Sequence, residues 1–344
     1  MQDPTENTNS EILLTPRRNR WRKKLTWLTI ILNFVLLLIA SVSNRFFYLS
    51  HERFPLVSKL QWKIHSQSDN APLIIGHRGA GFPSTAANSD RDNQLIGNTL
   101  KGIKKAIDAK VDWIEIDIRM SKENERENGK LVVFHDANVA AKTDFNPKDF
   151  RWIDATGEVA DLNLLELKTL NLLVKPSQKI LTLDEVFESS DIEPGKNKWI
   201  FDLKATRMKP ALMAWLENKI IPSGQLTLFG EYEVLKAYKH LGYPLGYTTL
   251  FGKNWKTMLL DPSKIFDRCD DLGSQLVVVP ILFVTTNFIE KAAKREIKVW
   301  CYDSNDEADL KYAVNCGVEG VIVDRPDQTM AIFKSRKSSD QNDL

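Results

Sequence analysis

The sequence predicts an α/β chain: a (β/α)8 TIM barrel with a small insertion, preceded by one N-terminal transmembrane helix. Three observations carry the prediction. Short β-rich apolar runs alternate with amphipathic stretches from residue 72 to 335, those runs end in polar side chains, and one uncharged apolar stretch lies near the N-terminus. The 344 residues are 43% hydrophobic and 27% charged, which is ordinary for a globular chain. A formal net charge of +2 excludes a global electrostatic signature for nucleic acid. Cys269, Cys301 and Cys316 form no C-x-x-C pair and no metal-like spacing, so they read as small core residues.

Residues 1–24 open polar and aperiodic and close on a basic cluster, Arg17, Arg18, Arg20, Arg22, Lys23 and Lys24. The run LTWLTIILNFVLLLIASV follows from Leu25, within a predicted span of 25–43. At about 1.5 Å per residue it reaches roughly the thickness of a bilayer core. It is apolar all round, which argues against a surface helix of a soluble domain. A signal peptide is the alternative, with Ala40, Val42 and Ser43 near a small-x-small pattern. The basic cluster places the N-terminus in the cytoplasm and the rest of the chain on the periplasmic or extracellular side. Residues 44–71 read as a juxtamembrane connector, and 336–344 as a disordered tail.

The strand candidates are LIIGH (73–77), WIEIDI (113–118), LVVFHD (131–136), WIFDLK (199–204), LTLFGE (226–231), LGYTTL (245–250), QLVVVP (275–280), KVWCYD (298–303) and GVIVD (320–324). Near-continuous apolarity suits parallel strands buried on both faces. Helical candidates lie at 98–110, 263–273, 285–296 and 305–317. The strand count exceeds a barrel by one. The linker RMSKENERENGK (119–130) has no apolar face to serve as a crossover helix, so WIEIDI and LVVFHD are predicted to form a hairpin. A turn near Glu125 then sets Asp117 opposite His135. Residues 137–179 read as an insertion covering the barrel mouth, with a turn and short helix at 154–166.

Five strand ends carry polar groups where a buried strand should be apolar: His77-Arg78-Gly79, Glu115-x-Asp117, His135-Asp136, Asp202-x-Lys204 and Asp324-Arg325. Side chains at the C-terminal ends of barrel strands converge on one cleft. Glu115 and Asp117 share one strand face and repel unless a cation lies between them. A salt bridge to Lys204 would meet that need; so would a divalent ion, Mg²⁺ or Ca²⁺, with Asp202 as third carboxylate. Arg78 offers a planar fork for phosphate, and Lys204 a second positive charge. Histidine as a residue type has an ordinary pKa near neutrality, and His77 and His135 suit proton transfer to a nucleophile and a leaving alkoxide. Together these residues point to phosphoryl transfer on a diester. Asp324-Arg325-Pro326 reads as a strand-terminating turn with a structural ion pair.

H-R-G, N-T, W-I-E-I-D-I, V-V-F-H-D, F-D-L-K, V-W-C-Y-D and V-D-R-P-D occur here in an order that resembles the glycerophosphodiester phosphodiesterase family, over residues 73–328. The resemblance implies a (β/α)8 barrel that hydrolyses glycerophosphodiesters to glycerol 3-phosphate and an alcohol. It implies His77 and His135 as catalytic, Glu115, Asp117 and Asp202 as ligands of one divalent cation, and Arg78, Lys204 and Trp300 as substrate-binding. The implied partners are a glycerophosphodiester or lysophospholipid and the lipid bilayer through residues 25–43, with no nucleic acid. Departures are Gly97 where the family has the acid of E-N-T, Asp202 where it has Glu, and Trp300-Cys301-Tyr302-Asp303 for W-T-V-N. A lysophospholipase D-like enzyme, a cyclising phospholipase and a non-catalytic phosphodiester-binding protein remain alternatives.

Overall fold

The computed structural model describes residues 71–81, 97–123, 129–149, 156–173, 177–219, 221–222, 224–249, 257–258, 261–302 and 305–339. The expected transmembrane helix at 25–43 lies outside them. Among the described residues, no helix is long and apolar enough to cross a membrane.

Ten strands form one sheet: β1 (Leu73–Gly76), β2 (Trp113–Met120), β3 (Leu131–Val133), β4 (Leu181–Thr182), β5 (Trp199–Leu203), β6 (Leu226–Gly230), β7 (Leu245–Thr248), β8 (Leu276–Pro280), β9 (Lys298–Tyr302) and β10 (Gly320–Val323). Eight of them run parallel in the order β1-β10-β9-β8-β7-β6-β5-β2, and a β1–β2 pairing closes the ring. All nine sequence candidates are strands of this sheet. β3 and β4 branch from β2 as antiparallel neighbours outside the ring.

The period-2 alternation of each strand separates two cores. Ile74, Ile114, Ile116, Ile118, Trp199, Phe201, Val299, Val321 and Val323 pack outward beneath the helices. Ile75, Ile200, Phe229, Leu276, Val278, Trp300 and Ile322 fill the interior. Extending the inward phase by two residues reaches His77, Asp202 and Asp324, and on β2 it reaches Glu115, Asp117 and Arg119. The strand pattern therefore delivers the polar groups to one end of the barrel before any of them makes a contact.

Helices α1 (Leu100–Asp108), α2 (Leu164–Thr169), α3 (Leu183–Phe187), α4 (Lys209–Asn218), α5 (Tyr232–Tyr238), α6 (Ser263–Leu272), α7 (Thr286–Ala293), α8 (Glu307–Cys316) and α9 (Pro326–Ser339) cover or flank the sheet. Their limits follow local chemistry. Thr99 Oγ1 caps α1 by accepting from Gly102 N at 3.1 Å, Thr285 caps α7, and Asp306 caps α8. Left-handed glycines at 273 and 317 end α6 and α8.

The hairpin pairs Ile118 with Val133 and Met120 with Leu131. Phe134 N donates to Asp117 O at 3.1 Å, so Phe134 and not His135 lies opposite Asp117. The expected register was one residue off, because a polar turn without a tight two-residue signature leaves the pairing to the packing of the flanking strands. The excursion between β2 and β5 has its own small core of Val132, Phe134, Val139, Val159, Leu162, Leu167, Leu170, Leu172 and Ile180. This packing extends on both sides of residues 137–179. β4, only two residues long, was not anticipated; so short a run carries no periodicity.

Gly79 holds the turn after β1 against α1. Its φ is +84°, and a Cβ there would lie 2.7 Å from the Gly102 carbonyl carbon and the Ile103 nitrogen. Backbone cannot yield as a side chain can. Gly79→Ala is expected to lower the unfolding free energy by about 2 kcal/mol or more, measured by urea denaturation; an unchanged midpoint would show that α1 does not constrain this turn.

Candidate active site

The site grows from the ends of β1, β2, β5 and β10. After β1 the chain turns through Arg78, whose φ of +53° is uncommon for a residue with a Cβ. The strain is held by hydrogen bonds on both sides. Arg78 N donates to Glu115 Oε2 at 2.7 Å, Gly79 N donates to Glu115 O at 2.9 Å, and Asn98 N donates to Arg78 O at 2.9 Å. Asn98 is itself left-handed, at φ +64°. Its Nδ2 donates to Asp117 Oδ2 at 2.8 Å and its Oδ1 accepts from Asp117 N at 3.1 Å. Two strained backbones thus hold two buried carboxylates, which is where stored strain is expected to serve a function.

Glu115, Asp117 and Asp202 each present a carboxylate oxygen, all within 4.8 Å of one another. β2 and β5 are in register at Asp117 and Asp202, which explains the gathering. Lys204 Nζ sits 2.7 Å from Asp117 Oδ1 and 2.6 Å from Asp202 Oδ2. Arg78 Nε is 3.2 Å from Asp117 Oδ2, an ion pair without hydrogen-bond alignment. Burial opposes ionisation of Asp117, but Lys204 and Arg78 overcome it and hold its carboxyl well below the usual range. Burial likewise opposes the Lys204 charge, and Asp117 and Asp202 overcome it and raise the ammonium pKa. Of the two means of compensation open to the sequence, the Lys204 bridge is made to Asp117 and Asp202.

Glu115 is not served in that way. Burial, then repulsion from Asp117 and Asp202, pushes its carboxyl well above the ordinary range. Oε2 takes the Arg78 amide, while Oε1 is buried with no hydrogen-bond partner. An orphaned carboxylate oxygen costs free energy unless a cation or proton satisfies it. The donor set is all oxygen, from three carboxylates on rigid strands, and fits a hard divalent cation such as Mg²⁺ or Ca²⁺.

Both histidines are oriented by aspartates. His77 Nδ1 lies 2.6 Å from Asp324 Oδ1, and His135 Nδ1 lies 2.6 Å from Asp136 Oδ1. A carboxylate only accepts, so each Nδ1 carries the proton and each Nε2 remains for other work. The hydrogen bond from His135 lowers the Asp136 pKa; for Asp324, burial is overcome by the bond from His77, again to a net lowering. The His135 turn is tied to β2 by Arg119 Nε, which donates to His135 O at 2.8 Å.

Trp300 is 5% exposed, in the barrel interior, with ring centroids 5.8 Å from Phe229 and 6.4 Å from Trp113. It makes no direct bond to the carboxylates, although Phe229 is the strand partner of Asp202. Gly97 has a steric explanation. A Cβ there would lie 2.4 Å from Arg78 Cβ and 2.9 Å from Arg78 Cδ, so the arginine stem occupies the space an acid at 97 would need.

Asp324 follows the end of β10 and is ion-paired, as the sequence suggested, and the partner is the site histidine His77. Asn98, Arg119 and Asn305 also belong to the surroundings of the site and were not singled out from sequence; Asp136, noted there beside His135, is that histidine's partner. Asn98 stood in the N-T pair, but its side-chain bond to Asp117 needs a left-handed backbone that no local pattern announces.

The raised Glu115 pKa has a measurable consequence. A carboxyl whose folded pKa is raised contributes stability below its unfolded pKa and loses it as pH rises through the folded value. Without divalent cations, Glu115→Gln is expected to be more stable than the parent near pH 7, with the difference closing at about pH 4. Mg²⁺ or Ca²⁺ should raise the melting temperature of the parent and have little effect on Glu115→Gln. Equal metal-induced shifts in both proteins would remove Glu115 from the cation site.

Residues 77–328 match the glycerophosphoryl diester phosphodiesterase family. A glycerophosphodiester phosphodiesterase from Caldanaerobacter subterraneus subsp. tengcongensis is 24% identical over 272 residues, covering 76% of this chain and 98% of the relative. The solved structure of a glycerophosphodiester phosphodiesterase from Thermotoga maritima superposes with a TM-score of 0.56 at 21% identity, over 77% of this chain and 100% of that one. A phosphodiesterase from Oleispira antarctica, solved with its product sn-glycerol-3-phosphate, gives 0.57 at 20% identity, over 76% and 97%. At these identities the structural likeness speaks for the barrel alone.

Proposed function

The chain belongs to the glycerophosphoryl diester phosphodiesterase family and is a phosphodiesterase, and from that premise we propose that it hydrolyses glycerophosphodiesters to glycerol 3-phosphate and an alcohol. One observation carries the reading. Two imidazoles, each with Nδ1 engaged by an aspartate, stand at strand ends beside three gathered carboxylates whose Glu115 Oε1 lacks a partner.

Glu115, Asp117 and Asp202 would hold the divalent cation, which when bound neutralises charge on the phosphoryl oxygens. Arg78 and Lys204 supply fixed positive charge beside it, already oriented by Asp117, so little reorganisation is needed as charge develops. One histidine takes a proton from water at Nε2 as the water oxygen bonds to phosphorus. The other, as the imidazolium with a proton on each nitrogen, gives its Nε2 proton to the alkoxide oxygen as the phosphorus–oxygen bond of the alcohol breaks, and is left as the neutral Nδ1–H imidazole. Trp300 supports the site from the barrel interior by packing against Phe229.

Lysophospholipids are a second substrate class for the same site. The apolar run at 25–43 and the basic residues before it favour this reading, because such a span would hold the barrel at a bilayer on the non-cytoplasmic side. Attack by a neighbouring substrate hydroxyl instead of water would make a cyclic phosphate.

The test is turnover of glycerophosphocholine by the full-length chain in detergent with Mg²⁺ or Ca²⁺, followed by phosphorus NMR. Glycerol 3-phosphate is expected, with no cyclic signal. His77→Ala and His135→Ala should each lower kcat about 100-fold or more while retaining a cooperative melt. Near-parental rates in either variant would end that histidine's assignment, and absence of turnover on any diester with any divalent metal would leave a binding protein.

A further inference from the structure

The two histidine–aspartate pairs are not equivalent. Asp136 is the chain neighbour of His135, and the side chains are 29% and 41% exposed. Asp324 comes from the far side of the sequence, 247 residues from His77, and its side chain is 16% exposed. It is also held at its second oxygen: Asn305 Nδ2 donates to Asp324 Oδ2 at 3.0 Å. The same Asn305 side chain accepts through Oδ1 from Asp324 N at 2.8 Å and from Arg325 N at 3.2 Å. One amide therefore grips the backbone and the carboxylate of the same residue. Asp324 is left with its rotamer set and with Oδ1 aimed at His77.

We propose that Asn305 is a positioning residue that acts through Asp324 to keep His77 as the Nδ1–H tautomer, with Nε2 presented to the substrate. Asn305 lies between β9 and α8, and Asp324 directly follows β10, so the clamp ties two neighbouring strand ends to a side chain at the end of β1. β1 and β10 are register partners, and His77 N donates to Val323 O at 2.9 Å. The imidazole is thereby fixed at its backbone and at Nδ1, and only Nε2 is unassigned. Fixing the tautomer leaves no ring flip or proton relocation to precede proton transfer. The proposal rests on the hydrolase reading for its catalytic consequence, but the tautomer itself is a property of the resting protein.

The amide's two functions can be separated. Asn305→Asp keeps an oxygen to accept from the Asp324 and Arg325 amides, but it cannot donate to Asp324 Oδ2 and repels it. Asp324→Asn removes the charged acceptor from His77. The full-length chain, labelled with ¹⁵N-histidine, is compared with these variants by NMR, the His77 signals being assigned by their loss in His77→Ala. The parent should show His77 protonated at Nδ1. Asn305→Asp and Asp324→Asn should show that preference lost, with kcat on glycerophosphocholine lowered ~10–100-fold for Asn305→Asp and KM changed less than about threefold. If Asn305→Asp keeps the parental tautomer, the clamp is refuted whatever happens to kcat, since any loss then arises from the fold; a parent His77 protonated at Nε2 refutes it too. Should Asn305→Asp fail to fold, Asn305→Ala, which removes the grip on Asp324 altogether, decides by the same signals. Absence of turnover by the parent would instead overturn the hydrolase reading and leave the tautomer result standing, whereas an active His77→Ala would end only the catalytic role of His77.

Discussion

Three carboxylates gathered at one end of a barrel, two of them buried and one half-buried, are the constraint to which the rest of the site answers. Glu115, Asp117 and Asp202 lie within 4.8 Å of one another, and two of them are almost wholly out of water. Such a cluster is unfavourable unless positive charge and hydrogen-bond donors surround it. The chain provides both. Lys204 bridges two of the acids, Arg78 faces Asp117, and the amides of Arg78 and Asp117 itself, together with Asn98, occupy further acceptors and donors. Arg78 and Asn98 adopt left-handed backbones to do so, a cost tolerated because several hydrogen bonds converge on them. The compensation stops at Glu115 Oε1, and that incompleteness makes the cluster a candidate cation site and not a finished salt-bridge network.

The barrel makes this cluster affordable because its strands are fixed by two cores independent of the site. Outward residues of β2 and β5 are apolar and fully buried, so the register that sets Asp117 against Asp202 is determined by packing on the opposite face. The excursion between β2 and β5 is likewise held by its own apolar cluster. It delivers His135 beside the acids, and its β3 is also paired to β2 and packed through Leu131 and Val133 against the outer barrel core. Function at one rim is thus supported by packing elsewhere, as in other barrels of this architecture.

Much of this was legible in the chain. The nine β-rich runs are nine strands of the sheet, and the polar linker after WIEIDI does signal a hairpin, because a segment with no apolar face cannot pack as a crossover helix. The inward phase of WIEIDI and WIFDLK brings the three acids together as their spacing implies. Less legible were relations between segments distant in sequence. Asp324 looked like a turn residue because nothing local reveals a partner 247 positions away. Gly97 looked like a gap in a motif, whereas the Arg78 stem lies over it. The hairpin register slipped by one because only the packed strands choose among neighbouring pairings.

By itself, the sequence determined nine of the ten strands, the period-2 phase that turns each polar residue inward, and the chemical types available at the strand ends. These are local properties, set by side-chain polarity and backbone alternation. Tertiary structure alone decided which of those residues meet: that Lys204 serves Asp117 and Asp202 but not Glu115, that Asp324 orients His77, and that Asn305 grips Asp324. Pairing of β2 with β5, of β9 with β10 and of β10 with β1 makes these contacts, and no pattern along the chain encodes which side chains will then lie within hydrogen-bonding distance.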